Sequence, residues 1–317
     1  MHGSSEASFR TRGSPSSAAQ RTTRWSIDLP PSIAFCGVSS TTRRLAADER
    51  SPAGGLGQAA ADWVSSRWIP VGGRRVRYRE AGSGDPIVLV HGLGVSADYW
   101  MRNGPPIAAT GFRVLAPDLP GFGRTAGPEG GLAVGEQARS VREWAAAMEL
   151  PPAVYVGHSL SCQSLLELAV ANPDCVRALV LAAPTGEGQS LPRLARQLGG
   201  FLRDLHRESA ALAILVLHAY LRAGLARVLR TWRLGAAHDP MPLLPGVRVP
   251  ALVVVGKNDP LVHVEFATRM VDALTDGRLT VIPDGTHAVI LDPTGRFNAA
   301  VIDFVRSLPP FSIRPST

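Results

Sequence analysis

Three residues whose side chains could together perform acyl transfer each follow an apolar, strand-like run. Ser159 comes two residues after the run 153–157, and Asp259 and His287 come after two later runs of the same kind. A serine hydroxyl is a weak nucleophile until an imidazole accepts its proton, and a carboxylate fixes the tautomer of that imidazole. Because ligands bind at the carboxyl ends of the strands in parallel sheets, the order Ser, Asp, His predicts a catalytic triad. Taken singly, Asp259 could cap a helix and His287 could be an ordinary loop histidine, and only the joint order favours the triad.

The segment around Ser159 has the form of a sharp turn from a strand into a helix. It reads Gly157-His158-Ser159-Leu160-Ser161, and a helical segment follows as far as residue 171. A serine on such a turn exposes its hydroxyl, and the helix N-terminus favours the negative charge that develops during attack. The usual motif is G-x-S-x-G, so Ser161 departs from it at the last position. We expect Ser161 to lie in the first helical turn and to face away from the pocket.

A second glycine-containing loop could stabilise the oxyanion of the reaction. The apolar run 86–90 leads into His91-Gly92-Leu93-Gly94. Glycines allow backbone N–H groups to face a cavity, and such groups bind a developing oxyanion. The N–H groups of Leu93 and Leu160 are therefore the predicted donors. Gly92 and His91 are predicted to support the loop, His91 through hydrogen bonds and not through chemistry.

The elements that must position these residues alternate along the chain from residue 66. Strands are expected near residues 67–71, 74–80, 87–91, 112–116, 153–157, 176–182, 251–256 and 278–282. Helices are expected near residues 97–109, 134–148, 160–171, 264–274 and 294–307. Interleaved strands and helices predict an α/β protein whose mostly parallel sheet is covered on both faces, with an antiparallel start from the first hairpin.

At these residues the sequence resembles the α/β-hydrolase superfamily, in particular serine hydrolases of the esterase and lipase type. The likeness spans residues 66–308 and is carried by His91-Gly92, Asp118-Leu119-Pro120-Gly121-Phe122-Gly123-Arg124, Gly157-His158-Ser159, Asp259, His287, the early hairpin 77–82 and Asp292-Pro293. It implies the α/β-hydrolase fold, with an eight-stranded sheet and a helical cap insertion. Asp118 belongs to a turn that is structural in this family. Members with an aspartate nucleophile, such as haloalkane dehalogenases and epoxide hydrolases, are disfavoured because position 159 is serine.

The segment 187–248 has no strand-like pattern and predicts helices. Apolar residues recur there at helical spacing, with arginines between them (Leu194, Leu198, Phe201, Leu202, Leu205; Arg193, Arg196, Arg203, Arg207). A second helical segment runs from about residue 210 to 232. Its position resembles that of the family's helical cap, which shapes the pocket and governs substrate choice. The expected organisation is a hydrolase core of residues 61–186 and 249–317 with a cap of residues 187–248.

Residues 1–60 differ in composition from the rest of the chain. They are rich in Ser, Thr, Arg, Ala and Gly without a sustained period, which predicts a disordered tail. Their apolar stretch 31–36 is too short and too late for a secretory signal, and an organelle transit peptide is the alternative. The three cysteines, Cys36, Cys162 and Cys175, lack the spacing of a disulfide framework or a zinc site. Cys162 is expected to face the core, and a reduced, cytoplasmic setting is predicted.

The net charge of +7 resides mainly in the tail and in the insertion. Residues 1–60 carry seven arginines against four acidic residues, and residues 187–250 carry nine arginines against four. The basic insertion is interpreted as solvated helix faces, with attraction of an anionic substrate or contact with anionic lipid as alternatives. Nothing indicates a nucleic-acid module, because aromatic residues are not interleaved with the arginines. The apolar stretch 210–219 is too short to span a bilayer, so no transmembrane segment is predicted.

These observations predict a serine hydrolase that cleaves a small or medium carboxylic ester through an acyl-enzyme. No metal and no organic cofactor is implied, the partner is a small-molecule ester or related acyl substrate, and the chain is expected as a monomer or homodimer. Hydrolysis of a C–C bond, thioester cleavage and acyl transfer use the same triad and are the nearest alternatives. A ligand receptor that retains the fold without turnover is an alternative of a different class.

Overall fold

An eight-stranded sheet forms the centre of the fold. The computed structural model describes residues 52–187 and 210–309. The strands are β1 (Arg67–Val71), β2 (Arg74–Ala81), β3 (Pro86–Val90), β4 (Arg113–Pro117), β5 (Ala153–His158), β6 (Val176–Ala182), β7 (Ala251–Gly256) and β8 (Gly277–Ile282). Their order across the sheet is β1-β2-β4-β3-β5-β6-β7-β8. Strand β2 runs antiparallel to β1 and β4, and the other neighbours are parallel. The predicted sheet is confirmed.

Helices cover both faces of the sheet, and each face has its own apolar core. In β3, Val88 and Val90 point to one face and Ile87 and Leu89 to the other, because successive residues of a strand alternate. The first core contains residues of α3 (Val134–Ala147), α4 (Ser161–Ala171) and α7 (Val264–Ala273). The second contains residues of α1 (Pro52–Val64), α2 (Gly104–Ala108) and α8 (Arg296–Ser307). With both faces covered, the central strands are apolar throughout, as expected for parallel sheets.

The register of the central strands brings their carboxyl ends to one edge of the sheet. Val90 is paired with Gly157, and His158 with Ala182, so that β3, β5 and β6 end side by side. Loops that leave these ends therefore meet above the same edge. This is the edge at which Ser159, Asp259 and His287 were predicted to lie.

The N-terminal helix α1 was not predicted. Trp63 near its end is fully buried, and a Cβ atom on Gly104 would lie 2.3 Å from the Trp63 ring. The Arg79 guanidinium also donates a hydrogen bond to the main-chain oxygen of Trp63. Because α1 begins at Pro52, the predicted disordered tail is wrong for residues 52–60. Residues 1–51 lie outside the described part of the chain, where that expectation stays a prediction.

The helix expected over residues 97–109 is divided into two short pieces. A 3₁₀ turn occupies Ala97–Trp100, and α2 begins only at Gly104. Pro105 and Pro106 follow at once. Proline has no N–H and its ring clashes with the preceding turn, so it is tolerated only in the first turn of a helix. The two prolines therefore fix the start of α2 and separate it from the 3₁₀ turn.

Between β6 and β7 the structure contains a helical insertion. Its described part consists of α5 (Ala210–Ala223), α6 (Leu225–Ala236) and the 3₁₀ segment Met241–Gly246. The predicted apolar stripe at residues 194–205 and its arginines lie outside the described residues.

Two arginines connect this insertion to the loop that follows β4. Arg227 donates through Nη1 to the oxygen of Gly121 at 2.9 Å and through Nε to that of Pro128 at 3.1 Å. Arg222 Nε donates to the oxygen of Gly123 at 3.0 Å. These two arginines bind main-chain carbonyls, which differs from the solvated helix face expected from the sequence.

Candidate active site

Ser159 lies on a sharp turn between β5 and α4. Its backbone has a φ of 58°, a left-handed conformation that is uncommon for a residue with a side chain. The turn is tight enough that a Cβ on Gly157 would lie 2.9 Å from Leu165 Cδ1 and 3.1 Å from the nitrogen of Cys162. Glycine at position 157 therefore permits the close approach of strand and helix, and Ser159 remains partly exposed at the tip.

Ser161 occupies the position where the motif usually has glycine. Its hydroxyl donates to the main-chain oxygen of Val90 at 2.8 Å and accepts from the N–H of His158 at 2.8 Å. The residue is buried, and its hydroxyl bonds to main-chain atoms at the ends of β3 and β5. Ser161 thus ties the turn to β3, and the expected orientation is found. The neighbouring Cys162 faces the core, where burial raises the pKa of its thiol.

The structure brings Ser159, His287 and Asp259 into one hydrogen-bonded chain. His287 Nε2 lies 2.9 Å from Ser159 Oγ, and His287 Nδ1 lies 3.0 Å from Asp259 Oδ2. The Asp259 side chain is fully buried, whereas that of His287 is 13% exposed. The imidazole therefore lies between a carboxylate shielded from water and the hydroxyl of a partly exposed serine.

Asp259 is held in one orientation by the turn that follows it. Its Oδ1 accepts hydrogen bonds from the N–H of Leu261 at 2.7 Å and of Val262 at 3.0 Å. The other oxygen, Oδ2, is left to face His287 Nδ1. A carboxylate is an acceptor only, so Nδ1 must carry a proton, and Nε2 is then free to accept the proton of Ser159.

The predicted oxyanion loop lies directly against the Ser159 turn. A Cβ on Gly92 would be 3.0 Å from the oxygen of His158 and 3.5 Å from Ser159 Cβ, so a larger residue would push the two loops apart. Among the described residues, neither Leu93 nor Leu160 uses its N–H in a hydrogen bond of a turn, loop or cap. Leu160 also immediately precedes α4, whose N-terminus carries partial positive charge. That these two N–H groups bind an oxyanion stays a prediction.

His91 is hydrogen-bonded within this loop and to the loop that follows β4. Its Nε2 accepts the N–H of Leu119 at 2.9 Å, so its Nδ1 carries the proton and donates to the oxygen of Gly92 at 2.8 Å. The ring is fully buried, and burial lowers its pKa below the usual value. Both nitrogens are occupied, which leaves His91 no free group for chemistry.

Two contacts at the site were missed from the sequence. The His158 ring reaches the main-chain oxygen of His287, with Nε2 at 2.9 Å. Tyr220 of α5 lies against Gly94, and a Cβ on this glycine would be 2.3 Å from the Tyr220 ring. Both contacts join residues far apart in the chain, and no local pattern signals either of them.

No metal site was found in the part of the chain that the structure describes, since no three His, Cys, Asp or Glu side chains are grouped to hold an ion there. Within residues 52–187 and 210–309, no helix is both long and apolar enough to cross a membrane.

The strand order and the position of the site define an α/β-hydrolase fold. A model of the alpha/beta hydrolase family matches residues 87–300. The chain therefore belongs to the α/β-hydrolase family.

Its similarity to individual proteins extends over most of the chain. It is 30% identical over 265 residues to a 2-hydroxy-6-oxo-6-(2'-aminophenyl)hexa-2,4-dienoic acid hydrolase of Metapseudomonas resinovorans, which covers 75% of this chain and 90% of the relative. A solved serine hydrolase involved in carbazole degradation is 28% identical, with a TM-score of 0.65 and coverage of 76% and 98%. An esterase of Thermogutta terrifontis, 20% identical with a TM-score of 0.67 and coverage of 77% and 99%, shares the fold.

Proposed function

We propose that this chain is a serine hydrolase that cleaves small or medium carboxylic esters through an acyl-enzyme on Ser159. The observation that carries the proposal is the hydrogen-bonded chain from Ser159 Oγ through His287 to Asp259, with distances of 2.9 and 3.0 Å. Separations of this size allow a proton to pass between nucleophile and base. The buried Asp259 carboxylate stabilises the imidazolium that forms.

The proposed reaction has two halves. Ser159 Oγ attacks the acyl carbon while its proton moves to His287 Nε2, and the carbonyl electrons move to the oxygen. The intermediate collapses, the C–O bond to the alcohol breaks, and the alcohol leaves with the proton from His287. Water then attacks the acyl-enzyme and gives a proton to His287. The bond from the acyl carbon to Ser159 Oγ breaks, His287 returns the proton to Oγ, and the acid is released. The N–H groups of Leu93 and Leu160 are proposed to hold the oxyanion in both halves.

The helical insertion is proposed to act as a cap over this site. The contact between Tyr220 of α5 and Gly94 supports this assignment, because it places an insertion residue against the oxyanion loop. The division into a core before residue 187 and after residue 248, with the cap between them, follows from the same proposal. A cap excludes water and shapes the pocket, so substrate choice would depend on it.

The proposal is tested with Ser159→Ala and a panel of chromogenic acyl esters of increasing chain length. Turnover should fall to the level of a protein-free control, and labelling by a fluorophosphonate should be lost. Ser140→Ala is the matched control, since Ser140 lies on α3 and its hydroxyl donates, among the described residues, only to the oxygen of Gln137. Persistent turnover by Ser159→Ala, or fluorophosphonate labelling at Ser161, would refute the assignment of the nucleophile.

Hydrolysis of a C–C bond is a second candidate, favoured by a specific observation. The relative with 30% identity is named as a hydrolase of a 2-hydroxy-6-oxo-dienoic acid, and the match covers 90% of its length. With the same histidine and aspartate, the serine oxygen can attack a ketone carbonyl in place of an ester carbonyl. Comparing kcat/KM for a 2-hydroxy-6-oxo-dienoic acid, an acyl ester and a thioester would decide between these activities. The preferred substrate class should have a kcat/KM at least about tenfold higher than the others.

Acyl transfer and simple ligand binding give different results in the same assay. If an alcohol competes with water for the acyl-enzyme, added alcohol would yield a new ester. If the protein is a receptor, a ligand would bind tightly with negligible turnover. Formation of free acid at the rate of ester consumption is the result expected for a hydrolase.

A further inference from the structure

We propose that His158 is a positioning residue that fixes His287 relative to Ser159. This inference rests on the proposed function, since it assigns to His158 the task of holding the general base. His158 immediately precedes Ser159, and its side chain crosses to the loop of His287. One residue therefore connects the two groups whose separation determines proton transfer.

The hydrogen bond that makes this connection has a defined direction. His158 Nε2 lies 2.9 Å from the main-chain oxygen of His287. A carbonyl oxygen only accepts, so Nε2 must carry the proton and His158 must donate. Within the described residues, the main-chain oxygen of His287 has no other hydrogen-bond donor.

The surroundings of His158 keep the ring in place. Its centroid lies 5.5 Å from that of Tyr99 and 5.3 Å from that of His287, and Gly92 lies beside its Nδ1. The residue is only 5% exposed. Burial, with a smaller contribution from the charge of His287, lowers the pKa of His158 to about 3. The ring thus remains neutral near pH 7, and its N–H donor is constant.

The bond from His158 adds to other main-chain hydrogen bonds in the loop of His287. The N–H of Gly285 donates to the oxygen of Ile282 at 3.1 Å, and Asn258 donates to the oxygen of Gly285 at 2.9 Å. These bonds hold the loop two residues before His287. The bond from His158 acts at His287 itself, and the main-chain N–H of His158 is in turn fixed by Ser161 Oγ at 2.8 Å. His158, at the end of β5, therefore sets the positions of both the nucleophile and the base.

A loss of this anchor should reduce the rate and leave substrate binding unchanged. A displacement of a catalytic group by about 1 Å can cost on the order of 100-fold in rate. Ground-state binding of an ester does not depend on the Ser159–His287 distance. We therefore expect kcat to fall and KM to stay the same.

The test compares two amides of different length, His158→Gln and His158→Asn. The Gln side chain can place an N–H near the position of Nε2, whereas the Asn side chain reaches only as far as Nδ1. For ester hydrolysis we expect kcat to fall about 10- to 100-fold in His158→Asn and by less than about threefold in His158→Gln, with KM within about twofold in both. Because His158→Asn leaves the main-chain oxygen of His287 without this donor, its melting temperature should be the lower of the two, and kcat is compared at a temperature where both variants are folded. Equal kcat in the two variants, whether both high or both low, would overturn the proposal.

A measurement on the unmodified protein provides a second test that needs no variant. Nitrogen-15 NMR of labelled histidine should show His158 as the neutral Nε2–H tautomer throughout pH 5–9. A neutral His158 that carries its proton on Nδ1, and therefore cannot donate from Nε2, would overturn the proposal. Failure of the proposed function is distinguishable, because it would appear as retained turnover in Ser159→Ala. If Ser159→Ala has no turnover but His158→Gln and His158→Asn have equal kcat, only the proposed role of His158 is rejected.

Discussion

The substitution Asp259→Asn should disable the candidate site by reversing the tautomer of His287. Asp259 Oδ1 accepts the N–H groups of Leu261 and Val262 at 2.7 and 3.0 Å. Only an oxygen can accept them, so the carbonyl oxygen of asparagine must occupy this position. Its NH₂ group must then face His287 Nδ1, which becomes an acceptor and loses its proton. The proton moves to Nε2, and this nitrogen can no longer accept the proton of Ser159.

The expected loss can be given a magnitude. Holding the wrong tautomer in a Ser-His-Asp site costs about 10⁴-fold in kcat, which corresponds to about 5.5 kcal/mol in activation free energy. The loss of the buried negative charge is included in this value. Stability should change much less, since asparagine has the same shape and retains both backbone hydrogen bonds.

The assay is kcat for a chromogenic acyl ester at pH 7, with the melting temperature recorded for each protein. Asp284→Asn is the matched control, because Asp284 lies in the loop that bears His287 but its side chain is 85% exposed. We expect this control to keep wild-type activity. An Asp259→Asn protein that folds and retains more than about a tenth of the activity would refute the reasoning, and would show that the fixed orientation of residue 259 does not determine the tautomer.

Three further predictions concern stability and the insertion. Trp63→Ala should lower the free energy of unfolding, measured by urea titration, by about 3 kcal/mol, because it leaves a cavity at a fully buried site. The control Trp68→Ala should lower it by less than about 1 kcal/mol, because Trp68 is 39% exposed. Burial lowers the pKa of His158 to about 3 and also lowers that of His91, so the unfolded chain binds more protons below pH 6.5. The free energy of unfolding should therefore be highest above pH 6.5 and fall as the pH drops, by up to about 1.4 kcal/mol per pH unit for each histidine. Urea titrations at several pH values should show that the free energy of unfolding of His158→Gln depends less steeply on pH. An equally steep dependence in the variant would contradict this account. Arg227→Gln should accelerate hydrogen exchange of the amides in α6, which loses its bonds to two main-chain oxygens, and exchange at the wild-type rate would mean that these bonds do not hold the helix.

The sequence predicted the sheet well because its strands carry strong local signals. β3 and β7 are unbroken apolar runs with all residues buried, which is the pattern of a parallel strand covered on both faces. The placement of Ser159, Asp259 and His287 followed from the strand ends, since each residue leaves the same edge of the sheet. Their catalytic roles stay a prediction until activity is measured.

The features that the sequence missed depend on contacts between distant segments. Helix α1 contains three glycines and gives a weak helical signal, and it is held by the burial of Trp63 against Gly104. The bond from His158 to the oxygen of His287 joins residues 129 positions apart. No periodicity or motif encodes such a partner, because a main-chain oxygen has no residue type.

The arginine bonds of the insertion have a consequence for how this protein could diversify. Arg227 binds the main-chain oxygens of Gly121 and Pro128, and a substitution in the loop leaves a carbonyl oxygen in place whatever side chain it introduces. Substitutions in the loop can therefore accumulate without breaking the hydrogen bonds that connect it to the insertion. The exceptions are glycines at the contact: a Cβ on Gly121 would lie 2.9 Å from Arg227 Cδ, and one on Gly131 would lie 2.3 Å from Thr231 Oγ1. A randomised library that keeps these glycines and varies the residues between them would sample new loop surfaces while the hydrogen bonds to the insertion remain.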